Sequence, residues 1–274
     1  MLMFDDLIIV DGVCDGLKTS KYIPKGTPAK LIVPEGVKKI NNYAFAYNCF
    51  TDVELPTTLE KIGIGAFQKN RLEKVVIPDS VEEIGESAFA NNNLKTIVVS
   101  SNLKSISEKA FENNQIEDIE FPSSLISIEN KAFKCNKIRK LVAPSSLKNI
   151  GEEAFSLNKI EFLMLPDSVE KIGQGAFASN ELVGVSIPRN LKIIEASTFF
   201  NNKILGVFIP EGINQIHINA FKFNDIKEIT FPKSMNYIDI ESFCGNKNIE
   251  FVKISKDTKC LDKQLLKNEN VIRY

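Results

Sequence analysis

The sequence predicts a right-handed solenoid of about ten stacked 22-residue coils, with a parallel β-sheet along one face and a cap at each end. Three observations carry this. Phenylalanine recurs at Phe45, Phe67, Phe89, Phe111, Phe133, Phe155, Phe177, Phe199, Phe221 and Phe243, every step being 22 residues without an insertion. Asparagine stands three residues after each of them, at Asn48, Asn70, Asn92, Asn114, Asn136, Asn158, Asn180, Asn202, Asn224 and Asn246. Isoleucine fills a third column from Ile40 to Ile238 and proline a fourth from Pro34 to Pro232, broken only by Ser100. A fixed period of this size marks a chain of like units that bury their apolar sides only by stacking.

The elements follow from one coil, read from Leu72 to Asn92. Val75 and Ile77 alternate as a strand does, with one side chain between them facing out. Pro78 cannot donate to a strand ladder, so the strand stops there. Val81 and Ile84 return the chain across the core, and glycines such as Gly63, Gly85, Gly151 and Gly173 allow a tight bend. Ala88-Phe89 fits a short helical turn. The asparagine then has a structural duty. A buried bend leaves backbone N–H and C=O groups without strand partners, and an amide both donates and accepts, so this column predicts a ladder bridging one coil to the next.

Residues 1–28 fall outside the repeat and read as an N-terminal cap, although Tyr22-Ile23-Pro24-Lys25-Gly26 echoes the pattern. Residues 29–254 form the solenoid. Residues 255–274 read as a C-terminal cap, with an amphipathic helix over Thr258 to Asn268 and Val271-Ile272 as a closing strand. All three are expected to make one structural domain.

Lysine and arginine total 34 against 35 acidic residues. This balance gives no general attraction to nucleic acid or to an anionic membrane. No stretch approaches the roughly 20 apolar residues that span a bilayer, so membrane insertion is not expected. Met1 to Val13 carries Asp5, Asp6 and only Leu7–Val10 as an apolar run, which is not the pattern of a secretory signal. The five cysteines (Cys14, Cys49, Cys135, Cys244 and Cys260) are scattered and include no CxxC, so unpaired thiols are expected, Cys244 and Cys260 being the one plausible couple. His217 is the single histidine, which leaves a histidine-based metal or catalytic centre without a second member. No cofactor is expected.

The run L-x-x-V-x-I-P-x-S-V-x-x-I-x-x-x-A-F-x-x-N, repeated over roughly residues 29–254, resembles the BspA-type (Treponema pallidum type) class of leucine-rich repeat. The resemblance implies a leucine-rich-repeat solenoid. It also implies a cell-surface or secreted protein of the adhesin or host-interaction kind.

Function, if local, should lie on the outward strand positions, because the inward ones are filled. In successive coils these are Lys30/Ile32, Asp52/Glu54, Lys74/Val76, Thr96/Val98, Asp118/Glu120, Lys140/Val142, Phe162/Met164, Gly184/Ser186, Gly206/Phe208, Glu228/Thr230 and Phe251/Lys253. Asp52/Glu54 and Asp118/Glu120 lie three coils apart, about 14 Å by strand spacing, beyond the roughly 5–9.5 Å of a glycosidase pair. Ion pairing with Lys30, Lys74 and Lys140 is the simpler expectation. From Val142 to Phe208 the face loses its charge. Val142, Phe162, Met164, Gly184, Gly206 and Phe208, with Val183 and Leu205 beside them, predict a partner-binding strip, the glycines marking a close approach. The alternative is an ordinary strand surface on which Phe162 or Phe208 lies over the glycines. The functional expectation is therefore a non-catalytic module that binds a protein or glycan. A rigid spacer or self-assembling scaffold is the second reading, and a carbohydrate-active solenoid enzyme a remote third.

Overall fold

Three backbone ladders join each coil to the next, and each is set by a column of the repeat. The computed structural model describes residues 6–18, 29–267 and 271–274. The chain gathers into two units, Met1–Ile138 and Arg139–Tyr274.

In the first unit the outer strand face holds Ala29–Ile32 paired in parallel with Phe50–Glu54, and Lys74–Val76 with Thr96–Val98. Two-residue strands at the isoleucine column make the opposite face: Lys39–Ile40, Lys61–Ile62 and Glu83–Ile84 in one sheet, and Ser105–Ile106 with Ser127–Ile128. In the second unit Lys140–Val142 pairs with Phe162–Met164. Gly184–Ser186, Gly206–Phe208, Glu228–Thr230, Phe251–Ile254 and Val271–Arg273 form one five-stranded parallel sheet. The pairing is in register at a step of 22 residues, Val185 opposite Val207 for example, so like side chains stack on like.

The third ladder runs through the bend around the phenylalanine. Phe67 donates its amide to Ala88 O at 2.8 Å, and Phe177 to Thr198 O at 3.0 Å. This corrects the expected helical turn. Residues two before and two after each phenylalanine have left-handed backbone, as at Lys109 (φ 55°) and Asn113 (φ 54°), or Glu153 (φ 50°) and Leu157 (φ 58°). Two left-handed residues per coil turn the peptide planes so that the amides point at the next coil instead of back along a helix. The expected tight bends at glycine also have another cause. A Cβ on Gly85 would stand 2.5 Å from Ile64 N, and one on Gly173 2.5 Å from Glu152 N. Neighbouring backbones touch there, and only a missing side chain permits it.

Inside the first unit the rings of Phe45, Phe67, Phe89, Phe111 and Phe133 stack with centroids 5.1–5.5 Å apart. Inside the second, Phe155, Phe177, Phe199, Phe221 and Phe243 do the same at 5.1–5.9 Å. The asparagines line these stacks. Asn92 donates to Phe67 O of the preceding coil (2.9 Å) and to Phe89 O of its own (3.1 Å), and its Oδ1 accepts from Leu72 N (3.1 Å). Asn70, Asn114 and Asn136 repeat this in the first unit, as do Asn180, Asn202, Asn224 and Asn246 in the second. Asn158 donates to Phe155 O. Asn48 is half-buried, and its amide reaches only Ala46 O, at 3.0 Å.

The ends differ from expectation. Leu7–Val10 and Val13–Leu17 form an antiparallel hairpin through Asp11 and Gly12, and Val13 and Cys14 pair in parallel with Lys39 and Ile40. The echo at Tyr22 to Gly26 lies outside the described residues. The helix expected over Thr258 to Asn268 shrinks to Lys263–Leu266, Asn268 itself lying outside the described residues. Thr258 sits in the inward column, its hydroxyl donating to Met235 O at 2.8 Å, and Lys259–Cys260 adds one more strand beside Tyr237–Ile238. The extra residue after Asn246 shifts the repeat by one without ending it.

The stop comes at Asp262. Where Phe221 N reaches Ser242 O (2.7 Å), Phe243 N reaches the Asp262 carboxylate (2.7 Å). Where Phe223 N reaches Cys244 O (2.9 Å), Gly245 N reaches Gln264 Oε1 (2.9 Å). Two side chains thus supply the carbonyls of a following coil, while Asp262 also caps the short helix through Gln264 N and Leu265 N. All five thiols are unpaired.

Candidate interaction surface

The outward positions in the first unit carry mixed charge. Lys30 pairs with both Asp52 and Glu54. The coil holding Asp118 and Glu120 keeps only a bridge from Thr96 to Asp118 in place of a strand, which suits carboxylate residues poorly fitted to a pleated surface. Among the described residues, no group of three or more His, Cys, Asp or Glu is placed to hold a metal ion. His217 sits between Glu195 (3.0 Å) and Gln215 (3.3 Å), without a nucleophile.

The second unit brings Phe162, Met164, Gly184, Gly206 and Phe208 onto adjacent strands. Phe162 lies beside Lys140 in register, Met164 beside Val142, Gly184 beside Gly206, and Ser186 beside Phe208. The strands Phe162–Met164 and Gly184–Ser186 run side by side. Phe208 is 74% exposed and Phe162 47%. Val142, at 43%, is no more exposed than Val76 and Val98 at 48%, so valine alone does not distinguish this face. The rings and the glycines do. Lys140, expected as an ion-pair partner, instead places its Nζ over the Phe162 ring, 5.8 Å from the centroid.

The glycines behave otherwise than expected. A Cβ on Gly184 or on Gly206 would meet nothing within 4 Å, and neither residue has a left-handed φ. No backbone of this chain approaches them and no aromatic ring lies over them. They floor an open recess in the sheet, with Val183 and Leu205 exposed on one side and Ser186 and Phe208 on the other. Glu228 pairs in register with Gly206 at the far end. Ser186 and Glu228 are the members of this surface that apolar patterning passes over, because both are polar.

The family model described as "BspA type Leucine rich repeat region" matches residues 38–161 and 148–273. The chain belongs to the BspA-type leucine-rich-repeat family. Its fold is similar to that of a leucine-rich-repeat protein from Bacteroides ovatus, at 22% identity, covering 99% of this chain and 70% of that one with a TM-score of 0.70. It is also similar to the pneumococcal vaccine antigen PcpA, at 20% identity, covering 86% of this chain and 66% of that one with a TM-score of 0.57. No curated protein matches the chain. At such identities the likeness is one of fold.

Proposed function

We propose that this BspA-type solenoid is a non-catalytic binding module, and that the outer strand face of its second unit is the surface that meets a protein or glycan partner. The observation that carries the reading is the pair of glycines. Glycine within a strand weakens it by loss of chain entropy and of packing surface, and at Gly184 and Gly206 neither φ nor crowding asks for it. Two adjacent positions that cost stability without a structural return, framed by exposed Phe162 and Phe208, fit a surface shaped for something outside the chain. Aromatic side chains are the usual anchors of such contacts.

The test is a binding screen of the purified chain against glycan and extracellular-protein arrays, run beside Phe162→Ala/Phe208→Ala and Gly184→Arg. The double variant should lose about 2 kcal/mol or more per anchor. Gly184→Arg should block docking by bulk with thermal stability nearly unchanged. Equal binding of every hit by parent and variants would place recognition elsewhere on the molecule.

A further inference from the structure

The recess is polar at one end only, and that asymmetry selects an occupant. At the Phe162 end the Lys140 ammonium already covers the ring, so a second cation is repelled there. At the other end stands Glu228, which is exposed and makes no ion pair with any described residue. Lys227 precedes it in the chain and Lys253 lies on the next strand but one position along, and neither comes within ion-pair distance. Between the two ends, the floor is two strands wide, about 10 Å, and its sides are largely aliphatic.

Resting on the reading of this face as the contact surface, we infer that the recess receives an arginine side chain of a protein partner. Its stem lies on the Gly184–Gly206 floor between Leu205 and Phe208, and its guanidinium meets the Glu228 carboxylate. The chemistry favours this over a sugar. A pyranose lowered between Val183, Leu205 and Phe208 would leave most of its hydroxyls facing hydrocarbon, each unpaired group costing free energy. An arginine stem is apolar along its length and needs a partner only at its head. The guanidinium is weakly hydrated and planar, matching a carboxylate through two parallel hydrogen bonds and tolerating the aromatic neighbour better than a compact ammonium does. An acidic side chain finds no cation in the recess.

The experiment uses the full chain, labelled with 15N, and follows the backbone amides of Gly184 and Gly206. The probes are acetyl-Ala-Arg-Ala-amide, its citrulline and glutamate counterparts, and methyl α-glucoside. The arginine peptide should shift both glycine amides in a saturating manner, and the neutral citrulline peptide should bind about tenfold more weakly, as expected for a lost charge-assisted bond. Glu228→Gln should bring the arginine peptide down to the citrulline level. Gly206→Val should remove the Gly184 response while leaving the thermal midpoint equal or raised, which separates a filled recess from a damaged fold. Citrulline binding as tightly as arginine, the glucoside binding more tightly than either, or an arginine peptide that shifts neither glycine would each overturn the inference. If array partners are lost on Phe162→Ala/Phe208→Ala yet retained by Glu228→Gln, the contact surface stands and the arginine assignment falls.

Discussion

Replacing Asn92 by alanine tests the amide ladder in a form that can be worked from individual bonds. Asn92 is buried, and its side chain closes three well-formed bonds, to Phe67 O, Phe89 O and from Leu72 N. Alanine leaves the Leu72 amide buried without an acceptor, at about 1–3 kcal/mol, and removes two donors from carbonyls at roughly 1 kcal/mol each. The sum is about 3–5 kcal/mol. Asn48 occupies the same column but makes one printed bond from a half-buried site, so Asn48→Ala should cost about 1 kcal/mol or less. Urea denaturation of parent and both variants reads the difference, and hydrogen exchange at the Leu72 amide locates it. Exchange there should accelerate in Asn92→Ala and stay at the parental rate in Asn48→Ala. Should the two variants destabilise equally, the column would be conserved packing volume, and the bond-by-bond account would be wrong.

Two further outcomes follow from the turns. The backbone amides of Thr57, Ser101 and Lys233, each in the following coil, hold the carboxyls of Glu35, Asp79 and Glu211 below their ordinary range. A folded-state value below the unfolded one stabilises above the unfolded value and is lost as pH falls through the folded value. Urea midpoints should therefore drop on acidification below about 4.5, the ordinary glutamate value, and drop less steeply in Glu35→Gln/Asp79→Asn/Glu211→Gln; parallel curves would show that these braces do not matter. Leu157 is exposed with a left-handed backbone (φ 58°), so Leu157→Gly should stabilise by about 1 kcal/mol. Gly65→Ala should do the reverse, since its φ is +58° and a Cβ would fall 2.4 Å from the Tyr43 ring; a thermal midpoint that moves the other way in either variant would count against the strain argument.

What could be read in the sequence was whatever the stacking forces into columns. A ring that must sit on the next ring, and an amide that must reach the next coil, admit few residue types, so the phenylalanine and asparagine positions stand out. The left-handed positions admit many. Tyr43, Gly65, Ser87, Lys109 and Glu153 all adopt the same conformation, imposed by the ladder to the next coil, so composition carries no trace of it. Asp11-Gly12 between two apolar runs is a hairpin signal in its own right, hidden by attention to the longer period. The short final helix was over-extended because one inserted residue after Asn246 disguises Thr258 as an irregular position. On the outer face, alternation shows which residues point out. It does not show whether Gly184 and Gly206 face another backbone or open space, which is a property of what lies within 4 Å of them.

The stop at Asp262 and Gln264 separates two questions that most folds answer together: how long the molecule is, and how it ends. Within each unit the bonds across one seam are those across the next, so excising or duplicating 22 residues between equivalent points restores the same junction on both sides. The terminator reads only the coil directly before it, through Phe243 N and Gly245 N. A lineage carrying this plan can change its reach by unequal crossing-over in a single genetic step. The outward pair on each coil takes no part in any seam and is free to be rewritten, coil by coil, like type set in a fixed frame.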